Sequence, residues 1–491
     1  MPLPENSHST ANPRRWLVLG VVGVAQLMVV LDATIVNIAL PSAQTDLGFG
    51  DDVRQWVISA YAIAFGALLL LGGRLGDVFG RRLAFVVGLL GFAAASAIGG
   101  LANSFELLVI ARVLQGMFGA LLAPAALAIV ATTFTDPAER GKAFGVFSAI
   151  AGIGAGLGLL LGGALTDLLS WRWCLLVNLV FALPAALGAR MIDRDERPAT
   201  RAKLDVPGAL TISLGLFLIV YGVSRAEQDG WTSAVTLACL IAGVILVAAF
   251  AVIESRGTHP LLPLRVLTHR VRAGAFLGLA VLSVTMFGVF LFLTFYLQQN
   301  LQYSPMKTGV AFMPLNITIF IMSGLTATML LPRITPRILI PVGLFLVAGG
   351  SVLLAQLDTT SGYADGVLPA LIVAGLGAGI LYPTTFATGT QGIAPQDTGV
   401  ASAALNTAQQ LGGSIGIAFL STMFADFVAD AFTSDPSTNP AQAVIDGYVG
   451  VFWWAAGISA VASVIALALI KVSPGDRAAA GDQQPTMSAI H

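Results

Sequence analysis

WLVLGVVGVAQLMVVLDATIVNIAL, residues 16–40, is a long and almost wholly apolar stretch with a single carboxylic acid, Asp32, inside it. A membrane-crossing helix needs about 20 residues at a rise of 1.5 Å each, and this stretch exceeds that length. A cleavable export signal has an apolar core of only about 7–15 residues, so the run reads as a retained first helix. The polar, proline-containing segment before it, MPLPENSHSTAN, is expected to be a disordered tail. Thirteen further stretches of similar character follow, at 56–73, 83–102, 107–134, 144–165, 173–191, 206–223, 232–253, 273–297, 308–331, 338–357, 367–386, 401–424 and 448–470. The runs are continuous rather than alternating, which selects helices over a barrel.

Composition agrees with that reading. Of 491 residues 56% are apolar and only 10% charged, and mean hydropathy is +0.85. Soluble domains carry about 25% charged residues, so a water-facing shell cannot be built from this chain. Cys174 and Cys239 both fall in apolar runs and read as small packing residues rather than a disulfide or zinc framework.

Sorting Lys and Arg among the loops gives the topology. Of 25 such residues, 20 fall on the side that carries both chain ends, and only Arg54, Arg172, Arg225 and Lys307 fall on the other. Arg112 is inside a helix. By the positive-inside rule both termini are cytoplasmic, in a multi-pass protein of the cell membrane. The charged segment DRDERPATRAKLD (193–205) suggests six helices, an inserted pair, then six more. The expected divisions are a tail at 1–14, a bundle at 15–192, a linker with two helices at 193–272, a second bundle at 273–471 and a tail at 472–491. A weak repeat supports two halves: GIGAGLGLLLGG (Gly152–Gly163) pairs with QQLGGSIGIAF (Gln409–Phe419), and PRITPR (Pro332–Arg337) is a degenerate copy of the basic loop after helix 2. Parallel halves place a site at the midplane between them in many secondary transporters.

The most specific short signal is GGRLGDVFGRRLAF (Gly72–Phe85). Gly73, Gly76 and Gly80 permit a tight turn between helices, and Asp77, Arg81 and Arg82 supply ionic contacts to neighbouring helix ends. Topological anchoring alone needs only the positive charges. The full order resembles the signature loop of the major facilitator superfamily, where it latches the two halves in one access state. LDATIVNIALP (Leu31–Pro41), LLVIARVLQGMFGA (Leu107–Ala120) and the glycines from Gly154 to Gly163 resemble motifs of that superfamily's fourteen-helix drug:proton antiporters, with SWRW (Ser170–Trp173) following. FYLQQNLQYSPMKTGVAFMP (Phe295–Pro314) and GVASAALNTAQQLGGSIG (Gly399–Gly416) are similar to the same group in the second half. The chain departs from it twice: Gly158-Leu159 stands where Gly-Pro is usual, and Asn178-Leu179-Val180 where Asn-x-Pro is usual. The resemblance implies two six-helix bundles rocking about a central cavity, with helices 7 and 8 inserted.

Only Asp32 and Arg112 are formally charged well inside apolar helices, at a matching depth of roughly 10–12 Å from the same surface. An intramembrane ionisable residue is functional by default and usually paired. A purely structural salt bridge between helices 1 and 4 is the simpler alternative. The expected chemistry is proton exchange at Asp32, with Arg112 as a fixed cation, because burial disfavours a carboxylate's charge while a guanidinium favours it. Gln26 and Asn37 share a face of helix 1, and Gln115 lies one turn from Arg112. Asn316, Asn406, Gln409 and Gln410 offer matching polar groups from the second half, with interhelical hydrogen bonding as the plain alternative. Met286, Phe287, Phe290, Phe312, Met313 and Phe320 are candidates for an adaptable apolar wall, although such residues often only pack or face lipid. Gly154, Gly158 and Gly162 fall on one stripe and are expected to let a helix approach across the interface between bundles, as a gating element.

No phosphate-binding loop GxxxxGK[ST] is present, so ATP hydrolysis is not encoded here. The glycines of Gly152–Gly163 and Gly375–Gly379 lack the strand–turn–helix setting of a dinucleotide site. His8, His259, His269 and His491 form no metal or catalytic cluster, and no ring of like charges marks a channel. The expected function is proton-coupled export of amphipathic small molecules by a monomer, driven by the proton gradient without cofactor or nucleic acid. The alternatives are movement of lipid or another endogenous hydrophobic metabolite by the same fold, or a non-transporting membrane scaffold or sensor.

Overall fold

The computed structural model describes residues 14–51, 53–134, 136–193, 205–257, 270–391, 393, 398–434 and 439–470. Every regular element among them is a helix. In chain order these are α1 (Arg15–Leu47), α2 (Trp56–Phe79), α3 (Arg81–Gly100), α4 (Phe105–Thr133), α5 (Pro137–Leu168), α6 (Trp173–Met191) and α7 (Val206–Asp229). The rest are α8 (Ala234–Arg256), α9 (Arg270–Asn300), α10 (Pro305–Leu330), α11 (Pro336–Leu354), α12 (Tyr363–Thr390), α13 (Thr398–Ser434) and α14 (Pro440–Leu469). Twelve are long and apolar enough to cross a membrane, and α2 and α5 contribute the shorter apolar stretches Trp56–Leu69 and Gly156–Leu168. The tails and most of the two linker segments around α7 and α8 lie outside the described residues.

Helix starts follow local chemistry. The side chains of Ser104, Asp205, Ser233, Ser304 and Asn439 accept hydrogen bonds from the first-turn amides of α4, α7, α8, α10 and α14. Helix ends depart further from the sequence reading. α1 continues through Pro41 to Leu47, seven residues past the expected end, and stops at a left-handed Gly48. One proline removes one helical hydrogen bond, and the residues after it are otherwise helix-compatible. α13 likewise runs on to Ser434, because ADFVADAFTS contains neither glycine nor proline. Apolarity, which set the sequence boundaries, stops earlier than helicity does. α1 is thus about 50 Å long and stands out of the hydrocarbon layer.

α1–α6 pack on one another, as do α9–α14, and α7 pairs with α8. We call the surface bearing Arg15 and Leu469 the terminal face and the opposite one the far face. α7 lies along the seam between α2 and α13, where Ser213 Oγ donates to the Ala67 carbonyl at 2.8 Å. Trp56 meets Tyr221 and Trp231 meets Phe419 on the same seam. The other seam is α5 against α10. At the terminal face a single residue, Gly80, links α2 to α3 with φ of 99°, a conformation that suits glycine. At the far face the SWRW motif clasps the end of α1: Trp171 Nε1 and Arg172 Nη1 donate to Asp46 at 3.0 and 2.6 Å.

Candidate functional site

The site is a polar knot inside the α1–α6 half. Asp32 on α1 is fully buried and Arg112 on α4 is 1% exposed. Arg112 Nη1 donates to Asp32 Oδ2 at 2.6 Å and to Gln115 Oε1 at 2.8 Å, and its Nε donates to the Val57 carbonyl at 3.0 Å. The guanidinium lies over the Tyr61 ring, 4.4 Å from its centroid. The other carboxylate oxygen, Asp32 Oδ1, accepts from Gln115 Nε2 at 2.8 Å and from Asn178 Nδ2 at 2.7 Å. Both amides also donate to Ser96 Oγ, at 2.7 and 3.1 Å. Toward the far face the knot is roofed by apolar side chains, among them Val36, Val57, Leu108 and Leu175.

Three donors converge on the buried carboxylate, and such charge-assisted hydrogen bonds offset the cost of withdrawing it from water. The arrangement is strongly two-sided. With Asp32 ionised its two oxygens accept from Arg112, Gln115 and Asn178 together, whereas a neutral acid there would leave Arg112 without its anionic partner. A protonation change here therefore alters helix–helix contacts among α1, α3, α4 and α6 together.

Of the residues expected from the sequence, Asp32, Arg112 and Gln115 meet in this knot. Asn178, Ser96 and Tyr61 were not anticipated as members. Their signal was available, since Asn178 is the one amide in α6 and Ser96 a lone hydroxyl in α3, but the sequence reading looked for polar partners in other helices and met Asn178 only as a departure from Asn-x-Pro. The depth argument for Asp32 needs correction: α1 reaches beyond Leu40 to Leu47, so Asp32 lies farther from its helix end than the apolar run implies. The pairing stands because the extra turns protrude.

The remaining predicted residues are distributed through both halves, some of them at the two seams. Gln26 is half-buried, and Asn37 donates to carbonyls of its own helix, Ala33 and Thr34. Met313 and Asn316 flank Gly156 across the α5–α10 seam, and Asn316 Nδ2 donates to Phe312 O. Gln410 sits against Gly66 across the α2–α13 seam, Gln409 hydrogen-bonds Tyr382, and Asn406 donates to Ser402 O. Phe290 packs on Phe312 with ring centroids 5.2 Å apart, while Met286 is buried and Phe287 lies over Gly413. Phe320 is 61% exposed, on the same outward side of α10 as Ile317 and Ile321. Gly73 rests on Pro124, Arg81 and Arg82 are half-buried, and the side chain of Asp77 lies outside the described residues.

The glycine stripe is placed differently from expectation. Gly154, Gly158 and Gly162 do not face the other half: added methyl groups there would meet Leu27 and Val30, Thr34 and the Leu31 carbonyl, and Ile35, all on α1. The stripe holds α5 against the helix that carries Asp32. The interface is made by the neighbouring side of α5, where Gly156 and Gly163 approach Asn316 and the Pro305–Met306 backbone, and Gly309 of α10 approaches the Leu159 carbonyl. A 3.6-residue repeat identifies a stripe of small residues but not which neighbour it meets.

Asn178 offers a clean test of the knot. Asn178→Leu removes one donor from buried Asp32, a charge-assisted hydrogen bond of about 1.5–3 kcal/mol. The purified variant is expected to unfold at a lower temperature than wild type, with a loss of stability of that order. An unchanged unfolding temperature would assign the amide a packing role only.

A profile of the Major Facilitator Superfamily matches residues 22–417. The puromycin resistance protein pur8 of Streptomyces alboniger is 49% identical over 475 residues, which is 96% of this chain and 94% of that protein. The cephamycin export protein CmcT of Amycolatopsis lactamdurans is 34% identical, with 92% of each chain covered. Among solved structures, the POT family transporter PepTSo superposes with a TM-score of 0.70 at 13% identity, over 96% of this chain and 99% of that one. A bacterial homologue of the human lysosomal transporter Spinster, inward-facing and unoccupied, gives 0.64 at 18% identity over 94% and 99%. A helical membrane fold and a profile match over most of its length place the chain in the Major Facilitator Superfamily, as a membrane transporter and not an enzyme.

Proposed function

We propose that the protein exports amphipathic, antibiotic-like small molecules in exchange for protons. In this reading the chain crosses the membrane fourteen times with both termini in the cytoplasm, so the far face is external. Two bundles, 15–192 and 273–471, rock about a cavity at their seams, the linker 193–272 carries α7 and α8, and the transporter acts as a monomer. The observation that carries the reading is the buried Asp32–Arg112 pair with its amide shell. Relatives named for puromycin resistance and cephamycin export support the substrate class.

The energies match. A proton crossing 100 mV contributes about 2.3 kcal/mol, and one unit of pH gradient about 1.36 kcal/mol more. Breaking a buried ion pair by neutralising one partner costs about 3–5 kcal/mol. One proton under both gradients thus supplies about 3.7 kcal/mol, within the range that switching the pair requires.

Over about pH 5 to 8 the α11–α12 turn is not expected to contribute to the pH dependence of transport. There the exposed Asp358 carboxyl is drawn down to about 2 by hydrogen bonds from Ser361 and Thr360. Its contribution is fully present above the ordinary carboxylate range and is lost only as pH falls through about 2. Asp358→Asn should leave the pH–rate profile over that range unchanged; a displaced profile would locate the sensor in the turn. The function itself is tested by a substrate panel in reconstituted vesicles under an imposed pH gradient. Gradient-dependent uptake of amphipathic drugs is expected. Uptake indifferent to the gradient would contradict proton coupling, and lipid exchange faster than any drug's would favour a lipid carrier.

A further inference from the structure

Arg54, in the α1–α2 connection at the far face, is a second buried cation, and the Asp32 network makes no use of it. Its side chain is 3% exposed although its ion-pair partner, Asp51, is 64% exposed. What encloses the guanidinium is aromatic. It lies 4.0 Å from the centroid of Phe295, 5.2 Å from Phe424 and 5.8 Å from Phe292, on α9 and α13. Tyr448 on α14 packs against Phe292 and Phe424 and closes the back of the cage. The cation thus comes from the first half of the molecule and the cage from the second.

Other contacts seal the same face. Gln298 Nε2 donates to the Ile38 carbonyl at 3.0 Å, and Gly163 meets the start of α10. An alternating-access cycle must break these contacts when the far face opens, because all of them cross between the moving halves. Arg54 then leaves with α2, and three aromatic faces are bared beside the exit. A cage of this kind binds organic cations through the negative faces of its rings. The chain shows it holding one already.

We propose that Phe292, Phe295 and Phe424 form a release subsite for organic cations, occupied by Arg54 as an internal surrogate when the far face is closed. Return of Arg54 expels the exported cation and prevents it from re-entering. The inference rests on the export reading above and adds to it a site and a ligand class.

The test uses two ions of one shape and opposite charge, tetraphenylphosphonium and tetraphenylborate, with the purified full-length protein in equilibrium dialysis. Arg54→Ala empties the cage and should bind the phosphonium roughly tenfold more tightly than wild type, with no gain for the borate. Arg54→Lys keeps a cation in place and should bind like wild type. Adding Phe295→Leu to Arg54→Ala should cancel the gain. Equal gains for the two ions, no gain for the cation, or a gain that survives Phe295→Leu would each overturn the subsite. Should Arg54→Ala fail to fold, Phe295→Leu alone is read in vesicles. Export of phosphonium should fall several-fold while export of a neutral substrate holds; equal loss of both overturns the proposal. Proton-driven export of that neutral substrate by wild type reports separately on the export reading.

Discussion

Asp32→Asn is expected to abolish proton-coupled transport while leaving an inserted, helical protein. The substitution keeps the shape of the side chain and removes the one carboxylate of the knot. Arg112 stays charged, retaining the Val57 carbonyl and Gln115 Oε1 but losing its 2.6 Å partner. Loss of a buried partner is worth about 3–5 kcal/mol, so the variant should also unfold at lower temperature. The two effects separate by design. Transport driven by an imposed pH gradient should drop by two orders of magnitude or more, of the scale set by that energy, whereas downhill substrate exchange should persist. Gradient-driven accumulation at wild-type rates in Asp32→Asn would remove the carboxylate from the coupling scheme.

The second large effect concerns Gly158. A side chain there collides with the Thr34 hydroxyl and the Leu31 carbonyl, one residue from Asp32. Thr34 cannot swing away freely, because its hydroxyl donates to the Val30 and Leu31 carbonyls of its own helix. Gly158→Leu should therefore separate α1 from α5 and disturb the knot, at a cost of several kcal/mol typical of severe overpacking. The expected readout is a sharp fall in folded yield and thermal stability, rather than a trapped access state. Gly309→Val makes the contrasting case. Its added carbon lies 2.5 Å from the Leu159 carbonyl across the seam, so it should hinder closure of the far face while each half folds normally. Cysteine labelling from the far side should rise for Gly309→Val and not for Gly158→Leu. A stable, well-folded Gly158→Leu protein with raised far-side labelling would return that glycine to the interface.

Much of this architecture was legible from residues alone, for physical reasons. Backbone groups in lipid must be satisfied internally, so long apolar runs have only the helix available, and the positive charges sort by side. Asp32 and Arg112 stood out because charge in hydrocarbon is costly and seldom accidental. Helix ends were less legible: apolarity marks where lipid ends, not where hydrogen bonding does, and α1 and α13 run well past that limit. Partners of a given face were not legible. Gly158 and Gly163 lie on one helix, yet one meets α1 within its own half and the other meets α10 across the seam. Asn178 was hidden for a related reason: a neutral amide in an apolar run looks like any interhelical hydrogen bond until its partner is known to be a carboxylate.

Proton exchange by Asp32 against a permanent Arg112 charge is most directly tested by calorimetric titration of transported drug into purified protein, in two buffers of different ionisation heat. Drug binding to wild type should transfer a proton to or from the buffer, and the same titration of Asp32→Asn should transfer none. Equal proton transfer by the two proteins would contradict the account.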